Sequence, residues 1–280
     1  MTKLPITLIV LTKDEELNLP HCLKSSAEHV AQVIIVDSKS TDGTLAIARQ
    51  YGADIYDHPF TNQAEQFNWA LDNAKIAGEW VLRLDADEVM SPELWKEIET
   101  AIQNAPPEIC GFYLKRRVYF MGKWIRHGGY YPTWLLRLFR NGKARSEDRA
   151  MDEHIVLSEG RALQLQNDFK DKNRKKLKWW LAKHRNYAAR EARAMLDEKH
   201  FRERPDLGGG QPERKRWLKN NLYLRLPIFI RPFLYFIYRY FLRAGFLDGG
   251  RGLVFHFLQG LWYRFLVDAK YAKLVLSKKQ

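Results

Sequence analysis

Two carboxylates, Asp85 and Asp87, lie two residues apart directly after an apolar segment, residues 80–84 (WVLRL). A short apolar run of this kind predicts a buried β-strand that ends near Asp85. In open α/β sheets, ligands bind beyond the carboxyl ends of the strands, so these carboxylates stand where chemistry is expected. Their oxygens suit Mg²⁺ or Mn²⁺, which can in turn hold a diphosphate. Because Asp-x-Asp is also common in solvated acidic turns, the pair is informative only if the preceding chain forms a nucleotide-binding sheet.

The preceding residues predict such a sheet. Apolar runs at residues 5–11, 33–36 and 80–84, with a short one at 52–56, are typical of parallel strands covered on both faces. Helical patterns separate these runs, and strands alternating with helices at this spacing indicate βαβ units. The sequence therefore predicts an α/β fold with a doubly wound, Rossmann-like sheet.

Three motifs in this region resemble family 2 glycosyltransferases in their order and spacing. They are residues 12–15 (TKDE), 36–44 (VDSKSTDGT) and 84–88 (LDADE). The resemblance continues into the lipopolysaccharide-core glucosyltransferase branch through residues 134–140 (WLLRLFR), residues 152–154 (DEH), Trp180, Lys183, His184 and Tyr187. It implies the GT-A fold with a mixed sheet. It also implies inverting transfer of a hexose from a nucleotide sugar, here a UDP-sugar, to a lipid-linked or lipopolysaccharide-type acceptor in envelope glycan synthesis.

The resemblance also implies which residues bind the donor nucleotide. They are Thr12, Glu15, Asp37, Asp42, Arg83 and Asp85. Asp37 would accept hydrogen bonds from uracil at a strand end. Asp42 has a structural alternative, which is to cap the helix that begins near Thr44. Arg83 would contact the diphosphate, or else it is only a surface cation at the end of a strand.

The expected cofactor is Mg²⁺ or Mn²⁺, held by Asp85 and Asp87 with His154 as a further ligand. Such an ion neutralises charge on a departing nucleoside diphosphate. His154 would alternatively hold a phosphate, or be an ordinary loop residue.

Inversion is a direct displacement, so it needs one base to take the proton of the acceptor hydroxyl. The resemblance places that base in residues 152–154. We predict Glu153 in this role, with Asp152 as the alternative, because the order of acids departs from the commoner Glu-Asp pair.

The predicted acceptor-binding residues are Trp124, Trp134, Lys183 and His184. The two tryptophans belong to an aromatic group around Gly128 and Gly129, which suits stacking on a sugar ring. The same grouping is also typical of core or hairpin packing, and the sequence leaves both readings open.

Charge is distributed unevenly along the chain. Residues 1–160 hold 18 Lys and Arg against 23 Asp and Glu, whereas residues 161–280 hold 28 against 10 and carry a net charge of +18. A basic half of this kind indicates nucleic acid, an anionic membrane surface or a phosphate-bearing substrate. Two distant cysteines and the absence of a leader pattern at the N-terminus favour the reducing cytosol. We predict three regions: a catalytic domain at 1–160, a basic helical acceptor-side or linker region at 161–210, and a membrane-associating region at 211–280.

The last region predicts two amphipathic helices. Residues 222–242 mix Leu, Ile, Phe and Tyr with several arginines, which makes a membrane-spanning helix costly. In the next segment Val254, Leu258, Leu261 and Phe265 share one face, and His256, Gln259 and Arg264 lie opposite. This pattern favours a peripheral, monotopic anchor at the cytoplasmic face of the inner membrane. The alternative is a helical hairpin that packs on the catalytic domain or on a second subunit.

Three other function classes compete with a glycosyltransferase. One is a non-catalytic membrane scaffold, and intact Asp85, Asp87 and Glu153 argue against it. A nucleotidyltransferase would share the sheet and the metal, but it needs a Gly-rich basic loop after the first strand, and residues 12–15 are not such a loop. A nucleic-acid-binding protein would use the basic half, but it leaves the three ordered motifs unexplained. We therefore expect no nucleic-acid partner.

Overall fold

The computed structural model describes residues 3–148, 153–196 and 210–278. The chain divides into two compact units. The first unit comprises Met1–Tyr119 and Thr133–Arg174, and the second comprises Phe120–Pro132 and Lys175–Gln280. The first unit extends past the predicted boundary at residue 160 to Arg174, and the division into three functional regions stays a prediction. A strand at Arg161–Asp171 belongs to the first unit, and its many polar residues hid it in the sequence.

The described strands are β1 (Leu4–Thr12), β2 (Val30–Asp37), β3 (Asp54–Asp57), β4 (Trp80–Asp85), β5 (Glu88–Val89), β6 (Ile109–Phe120), β7 (Lys123–Trp124), β8 (Thr133–Arg140), β9 (Ala144–Ser146), β10 (Ile155–Leu157) and β11 (Arg161–Asp171). The described α-helices are α1 (Leu19–Lys24), α2 (Thr44–Gln50), α3 (Gln63–Asn73), α4 (Pro92–Gln103), α5 (Leu177–Ala194), α6 (Gln211–Asn221), α7 (Arg231–Ile237), α8 (Gly249–His256) and α9 (Tyr263–Ser277).

The main sheet of the first unit runs in the order β3-β2-β1-β4-β8-β6-β11-β5. Strands β3, β2, β1 and β4 are parallel, as the βαβ pattern predicts. Strand β8 then runs antiparallel to both β4 and β6, and β11 returns parallel to β6. The sheet is therefore mixed, which confirms the predicted α/β class with a mixed sheet.

The apolar strands of the first unit are buried on both faces. In β1, Leu8 and Val10 face a core completed by α1, α2 and α4, while Ile9 faces a second core completed by α3. Neighbouring side chains of a strand point to opposite faces, so a strand covered on both sides is apolar at most positions. This requirement explains the continuous apolar run in β1.

The second unit contains helices and short irregular turns. Helix α5 packs against α9, where the hydroxyl of Tyr263 donates to Glu191 at 2.6 Å and Arg264 Nη1 donates to the other oxygen of Glu191 at 2.8 Å. Short 3₁₀ turns lie at Tyr223–Arg225 and Gly245–Asp248, and π-helical turns lie at Tyr238–Leu242 and Phe257–Trp262. The first of the two predicted helices is therefore broken into pieces, and Pro227 lies in the break between the Tyr223–Arg225 turn and α7.

In its described residues the second unit buries several polar side chains and exposes many apolar ones, although Phe255 and Val267 are also buried. Its buried polar or charged residues are His184, Glu191, Arg231, Arg239, Asp248, His256 and Asp268. By contrast, Val254, Phe257 and Phe265 are exposed. His256, which the sequence places opposite Val254 and Phe265, is buried together with its apolar neighbour Phe255. No helix in the described parts of the chain is both long enough and apolar enough to cross a bilayer.

The aromatic group around Gly128 and Gly129 takes part in packing. Trp124 and Tyr131 meet edge to face with ring centroids 5.1 Å apart, and Tyr130 meets Phe255 at 4.7 Å. The guanidinium of Arg239 lies 3.6 Å from the centre of the Tyr130 ring. These contacts agree with the packing alternative for this group.

Candidate active site

The last residues of three parallel strands meet at one edge of the sheet. Thr12 is the register partner of Asp37 across β1 and β2, and Leu11 is the partner of Asp85 across β1 and β4. Three residues that the sequence assigns to the donor nucleotide, Thr12, Asp37 and Asp85, therefore end adjacent strands. This edge is where an open α/β sheet binds its ligands.

Asp37 is a buried carboxylate, only 2% exposed, that holds its own loop. Its Oδ1 accepts hydrogen bonds from the hydroxyls of Thr12 at 2.8 Å and Ser40 at 2.6 Å. Its Oδ2 accepts one from the backbone N–H of Ser40 at 2.7 Å. A carboxylate has about four acceptor positions, so these three bonds leave room for one more donor, such as a base N–H.

The loops after β1 and β2 are joined by side chains from both. Asp14 accepts a hydrogen bond from the backbone N–H of Thr41 at 2.8 Å, and Glu16 accepts one from the N–H of Gly43 at 2.9 Å. In the opposite direction, Asp42 accepts from the N–H of Glu16 at 3.1 Å. The two loops therefore form one surface beside Asp37.

Asp42 also accepts a hydrogen bond from the backbone N–H of Thr44 at 3.0 Å, at the start of α2. The sequence offered helix capping as the structural alternative for Asp42. The N-cap residue of α2 is Gly43, and Asp42 precedes it and bonds the N–H of the first helical residue. The hydroxyl of Thr44 accepts in turn from the backbone N–H of Glu15 at 2.7 Å.

The side chain of Glu15 is held by Asn18. Asn18 Nδ2 donates to Glu15 Oε2 at 2.7 Å, and Asn18 Oδ1 accepts from the backbone N–H of Arg174 at 2.8 Å. Asn18 is fully buried, so it ties the first loop to the segment that follows β11.

Asp85 is held by a buried arginine, Arg137, on β8. Arg137 Nη2 donates to Asp85 Oδ2 at 3.1 Å and to Glu88 Oε1 at 2.6 Å, and Glu88 Oε2 accepts from the backbone N–H of Asp85 at 2.9 Å. Burial alone would lower the pKa of Arg137, but the charges of Glu88 and Asp85 outweigh it and raise the pKa above its ordinary value. Arg137 therefore stays charged, and it fixes the Asp85 carboxylate.

Arg83 is 4% exposed, so the alternative that it is a surface cation is wrong. Its guanidinium lies over the ring of Phe67 at 5.0 Å, and its Nη2 is 3.6 Å from Asp85 Oδ1. Burial lowers the pKa of Arg83, with the charge of Arg137 adding to that effect, while the carboxylates of Asp85 and Glu153 oppose it. The carboxylate of the predicted base, Glu153, is therefore one of the charges that act on Arg83.

Asp87 is contacted by the segment after β11. Its Oδ2 accepts a hydrogen bond from Asn173 Nδ2 at 2.8 Å, and its backbone carbonyl accepts from the N–H of Lys172 at 2.9 Å. Burial lowers the pKa of Arg174, and the charge of Asp87 opposes that shift. Two hydrogen bonds, from Asn173 and from the backbone of Lys172, thus hold Asp87 in position.

The oxygens of Asp85 and Asp87 fit a divalent cation by their chemistry. Mg²⁺ and Mn²⁺ commonly take one or two protein carboxylates and complete their coordination with substrate phosphate oxygens and water. Within the described residues no group of three His, Cys, Asp or Glu side chains is placed to hold a metal ion. His154 therefore does not complete a three-residue cluster with Asp85 and Asp87.

The described part of the predicted base region begins at Glu153. The next residue, His154, donates its backbone N–H to Glu147 Oε2 at 3.0 Å, and its carbonyl accepts from the N–H of Glu147 at 2.9 Å. Asp152, the alternative base, lies outside the described residues. The choice between Glu153 and Asp152 therefore stays a prediction.

The predicted acceptor-binding residues fall in both units. Trp134 is on β8 of the first unit, with Lys115 Nζ 5.4 Å from its ring centre. Trp124, Lys183 and His184 belong to the second unit. Lys183 Nζ lies 5.0 Å from the ring centre of Trp179. An acceptor role for these four residues stays a prediction.

His184 is 9% exposed and contacts its own helix and Gln259. Its Nδ1 lies 2.8 Å from the carbonyl oxygen of Trp180, and its ring stacks on that of Trp180 with centroids 3.5 Å apart. Its Nε2 lies 2.8 Å from Gln259 Nε2. Because a carbonyl can only accept, Nδ1 carries the proton and Nε2 accepts from Gln259.

Sequence reasoning did not assign roles to several residues that hold this site. They are Asn18, Glu88, Arg137, Asn173 and Arg174. A signal existed for one of them: Arg137 is a charged residue inside the apolar run of residues 134–140, where a buried cation needs an acidic partner. Glu88 and Asn18 each lie three residues from the site residue that they contact. Asn173 and Arg174 come from a distant part of the chain, and no local pattern predicts that they reach the site.

Comparison with known proteins places the chain in a family. Residues 7–156, more than half of the chain, match the family described as Glycosyl transferase family 2. The chain belongs to this family. The match covers all three motifs and Glu153, so it confirms the family that the motifs indicate.

Several relatives share part of the sequence. The lipopolysaccharide core biosynthesis glycosyltransferase LpsC of Rhizobium meliloti is 34% identical over 166 residues, which cover 55% of this chain and 58% of that protein. A TPR repeat-containing protein of Synechococcus elongatus is 34% identical over 139 residues, covering 49% and 32%. An uncharacterized glycosyltransferase of Rickettsia felis is 38% identical over 94 residues, covering 34% and 32%. The chain thus spans from about a third to just over half of the length of these relatives.

Two solved structures resemble the chain loosely. Residues 1–349 of TarS from S. aureus align with a TM-score of 0.45 and 15% identity, covering 100% of this chain and 92% of that chain. Glucosyl-3-phosphoglycerate synthase of Mycobacterium tuberculosis, solved with Mn²⁺, UDP and glucosyl-3-phosphoglycerate, aligns with a TM-score of 0.34 and 20% identity, covering 41% and 44%.

Proposed function

We propose that this protein is a metal-dependent, inverting glycosyltransferase that moves a hexose from a nucleotide sugar, a UDP-sugar, to a lipid-linked or lipopolysaccharide-type acceptor. The observation that carries the proposal is the meeting of Thr12, Asp37 and Asp85 at one edge of the sheet. Membership of glycosyl transferase family 2 supports sugar transfer as the reaction class.

The donor would bind with its nucleoside over the surface formed by the loops after β1 and β2. Asp37 keeps acceptor capacity there for a base N–H, and Thr12 and Glu15 line the same edge. The diphosphate would lie by Asp85 and Asp87. A Mg²⁺ or Mn²⁺ held by these two carboxylates would offset the charge that develops on the departing nucleoside diphosphate. Arg83, fixed beside Asp85, would add positive charge at the same place.

The acceptor hydroxyl would be activated by Glu153, with Asp152 as the alternative. The carboxylate of this base would take the proton of the acceptor hydroxyl while the acceptor oxygen forms a bond to the anomeric carbon. The bond from that carbon to the diphosphate oxygen breaks from the opposite side, so the configuration inverts. Arg137 supports this step indirectly because it holds Asp85 in place.

We propose a lipopolysaccharide-type acceptor from the name of the LpsC relative and from the resemblance of the later motifs. Such acceptors are built on lipids, which agrees with the character of the second unit. Of the 24 large apolar side chains exposed in the described residues, 18 fall in residues 218–276. Residues 210–278 also hold 13 Lys and Arg against 3 Asp and Glu.

We therefore propose peripheral association with an anionic membrane, at the cytoplasmic face of the inner membrane. Exposed apolar patches of this extent mark interaction sites, and a basic apolar surface suits acidic lipid headgroups. A nucleic-acid partner for the basic residues 210–278 would leave the three amino-terminal motifs unexplained, so we favour the membrane.

The test is a screen of nucleotide sugars against the full chain, with release of the nucleoside diphosphate as the measurement. We expect slow hydrolysis of one UDP-sugar that stops in excess chelator and returns with Mn²⁺ or Mg²⁺. Release of pyrophosphate from a nucleoside triphosphate, without turnover of any nucleotide sugar, would instead indicate a nucleotidyltransferase.

A further inference from the structure

A short, exposed apolar loop of the second unit lies between the Tyr223–Arg225 turn and helix α7. Its three consecutive residues are Ile228, Phe229 and Ile230, whose exposed fractions are 39%, 37% and 53%. Three large apolar side chains in succession on a solvent-facing loop are unusual, because nothing in a solvated loop offsets their exposure. They therefore require a partner or an apolar environment.

The loop stands on a buried ion pair. Arg231, 2% exposed, donates from Nε to Asp268 Oδ1 at 2.9 Å and pairs with it again through Nη2. Asp268, 1% exposed, also accepts from the backbone N–H of Phe229 at 2.9 Å. One carboxylate on α9 thus fixes both the middle of the loop and the residue that follows it.

The backbone of the loop is held in a conformation that its residues do not favour. Phe229 has φ of +67°, in the left-handed region that costs free energy for a residue with a large side chain. Its ring nevertheless keeps one contact with Phe265, centroid to centroid at 5.1 Å, and Phe265 is itself exposed. The loop and the exposed face of α9 therefore form one continuous apolar surface.

The surrounding charge indicates what this surface meets. Residues 210–278 carry a net charge of +10, and Arg225 lies exposed three residues before the loop. A positively charged surface with an apolar tip is complementary to acidic headgroups that overlie an acyl interior.

We propose that residues 228–230 form a wedge that enters an anionic lipid monolayer, with Phe265 beside it and the Arg231–Asp268 pair as its rigid base. This inference rests on the proposed membrane association and names the element that enters the lipid. The ion pair stays buried in protein, so insertion takes no charge into the acyl region. Arg225 remains at the level of the headgroups.

Insertion can be measured with a single environment-sensitive label. Cys22 and Cys110 are both buried, so Ile230→Cys provides the one accessible thiol in the described residues. With vesicles of phosphatidylcholine and phosphatidylglycerol, we expect the label emission to shift to the blue and to be quenched by nitroxides on the acyl chains. Leu163→Cys, an exposed apolar position in the first unit, is the matched control and should show neither change.

The other outcomes separate the two proposals. A protein that sediments with vesicles while the label at position 230 stays in water would overturn the wedge and leave membrane association standing. A protein that does not sediment at all would overturn both. A label that is already blue-shifted without lipid, in a manner that depends on protein concentration, would assign the loop to a second copy of the chain.

A second variant avoids relying on a labelled cysteine. Phe229→Gly removes the ring, and glycine adopts φ of +67° without strain, so folding should be preserved. We expect partitioning onto anionic vesicles to weaken about tenfold, as expected for losing one well-buried apolar side chain. Unchanged partitioning combined with a lower melting temperature would show that the ring stabilises the fold through Phe265 instead of entering lipid.

Discussion

At the scale of single residues, the candidate site consists of carboxylates that are already held by the protein. Asp37 is fixed by Thr12 and Ser40, and Asp85 is fixed by Arg137. Groups that are fixed before the ligand arrives lose little entropy on binding and need no rearrangement during the reaction. Several hydrogen bonds of the first unit therefore position the few carboxylate oxygens that a donor would meet.

Replacing Asp87 with asparagine tests the metal assignment. Asparagine keeps the shape and the contact with Asn173 but removes the negative charge that would hold a divalent cation. We expect Asp87→Asn to abolish release of the nucleoside diphosphate while the melting temperature stays within a few degrees. Asp72→Asn is the control, because Asp72 is an exposed carboxylate paired with Arg145 and should retain full activity. Wild-type activity that persists in excess chelator would contradict the metal role.

Replacing Glu153 with glutamine tests the base. A positioned base contributes a factor of about 10²–10⁴ in rate, so turnover should fall by that factor while donor affinity changes little. Single-turnover transfer and a separate donor-binding titration distinguish these two effects. If Asp152→Asn shows the large loss and Glu153→Gln does not, the base is the preceding residue.

At the scale of elements, the parallel strands and the carboxy-terminal helices follow opposite rules. Strand β1 is apolar on both faces because helices cover both. Helices α8 and α9 bury His256, Tyr263 and Asp268 and expose Val254 and Phe265. The periodicity of such a helix separates its two faces, but it does not state which face is inside. Only the partners Asp248 and Glu191, which bind the polar side, decide that.

The buried pair Arg231–Asp268 makes this arrangement testable. Removing one partner leaves an uncompensated buried charge, which costs about 3–5 kcal/mol. We expect Asp268→Asn to lower the free energy of unfolding by that amount in denaturant titrations. The double variant Arg231→Met/Asp268→Leu removes both charges and should recover most of the loss. Asp72→Asn again serves as a control, because breaking an exposed pair costs at most about 1 kcal/mol. A loss in the double variant equal to that of Asp268→Asn would show that packing, not charge, dominates.

At the scale of the whole molecule, two units divide the properties of the chain. The first holds the sheet, the three family motifs and the carboxylates of the candidate site. The second holds most of the exposed apolar side chains and a core unusually rich in ionisable groups. Buried ionisable groups respond to pH, so the second unit should contribute to the pH dependence of stability.

Burial lowers the pKa of His184 to about 4 from its ordinary 6.5. Its folded environment therefore favours the neutral ring, whose Nε2 accepts a hydrogen bond from Gln259. The unfolded chain binds the proton first as pH falls, so this stabilisation is complete above about pH 6.5 and is lost between pH 6.5 and 4. Each pKa unit is worth about 1.4 kcal/mol, which gives a loss of up to about 3 kcal/mol.

The measurement is the free energy of unfolding at a series of pH values for the wild type and for His184→Gln. Glutamine cannot titrate, so the difference between the two proteins isolates His184 from Glu191 and His256, whose pKa values are also lowered. We expect that difference to shrink as pH falls from 6.5 to 4. A difference that is constant with pH would show that His184 does not titrate in this window.

The sequence by itself determined the parallel strands, the order of the three motifs and the family. Each of these depends on local patterns: apolar runs of strand length, and motif residues close together in the chain. The tertiary structure alone decided which residues hold the site. Arg137 reaches Asp85 from β8, and Asn173 reaches Asp87 from beyond β11. Asn18 reaches Glu15 from within the first loop. The partner of a polar side chain on a distant strand is not known until the order of the strands in the sheet is known. It also decided that β11 joins the sheet and that the carboxy-terminal helices bury His256 and Asp268. Periodicity gives a helix two faces, and only the buried partners assign one of them to the interior.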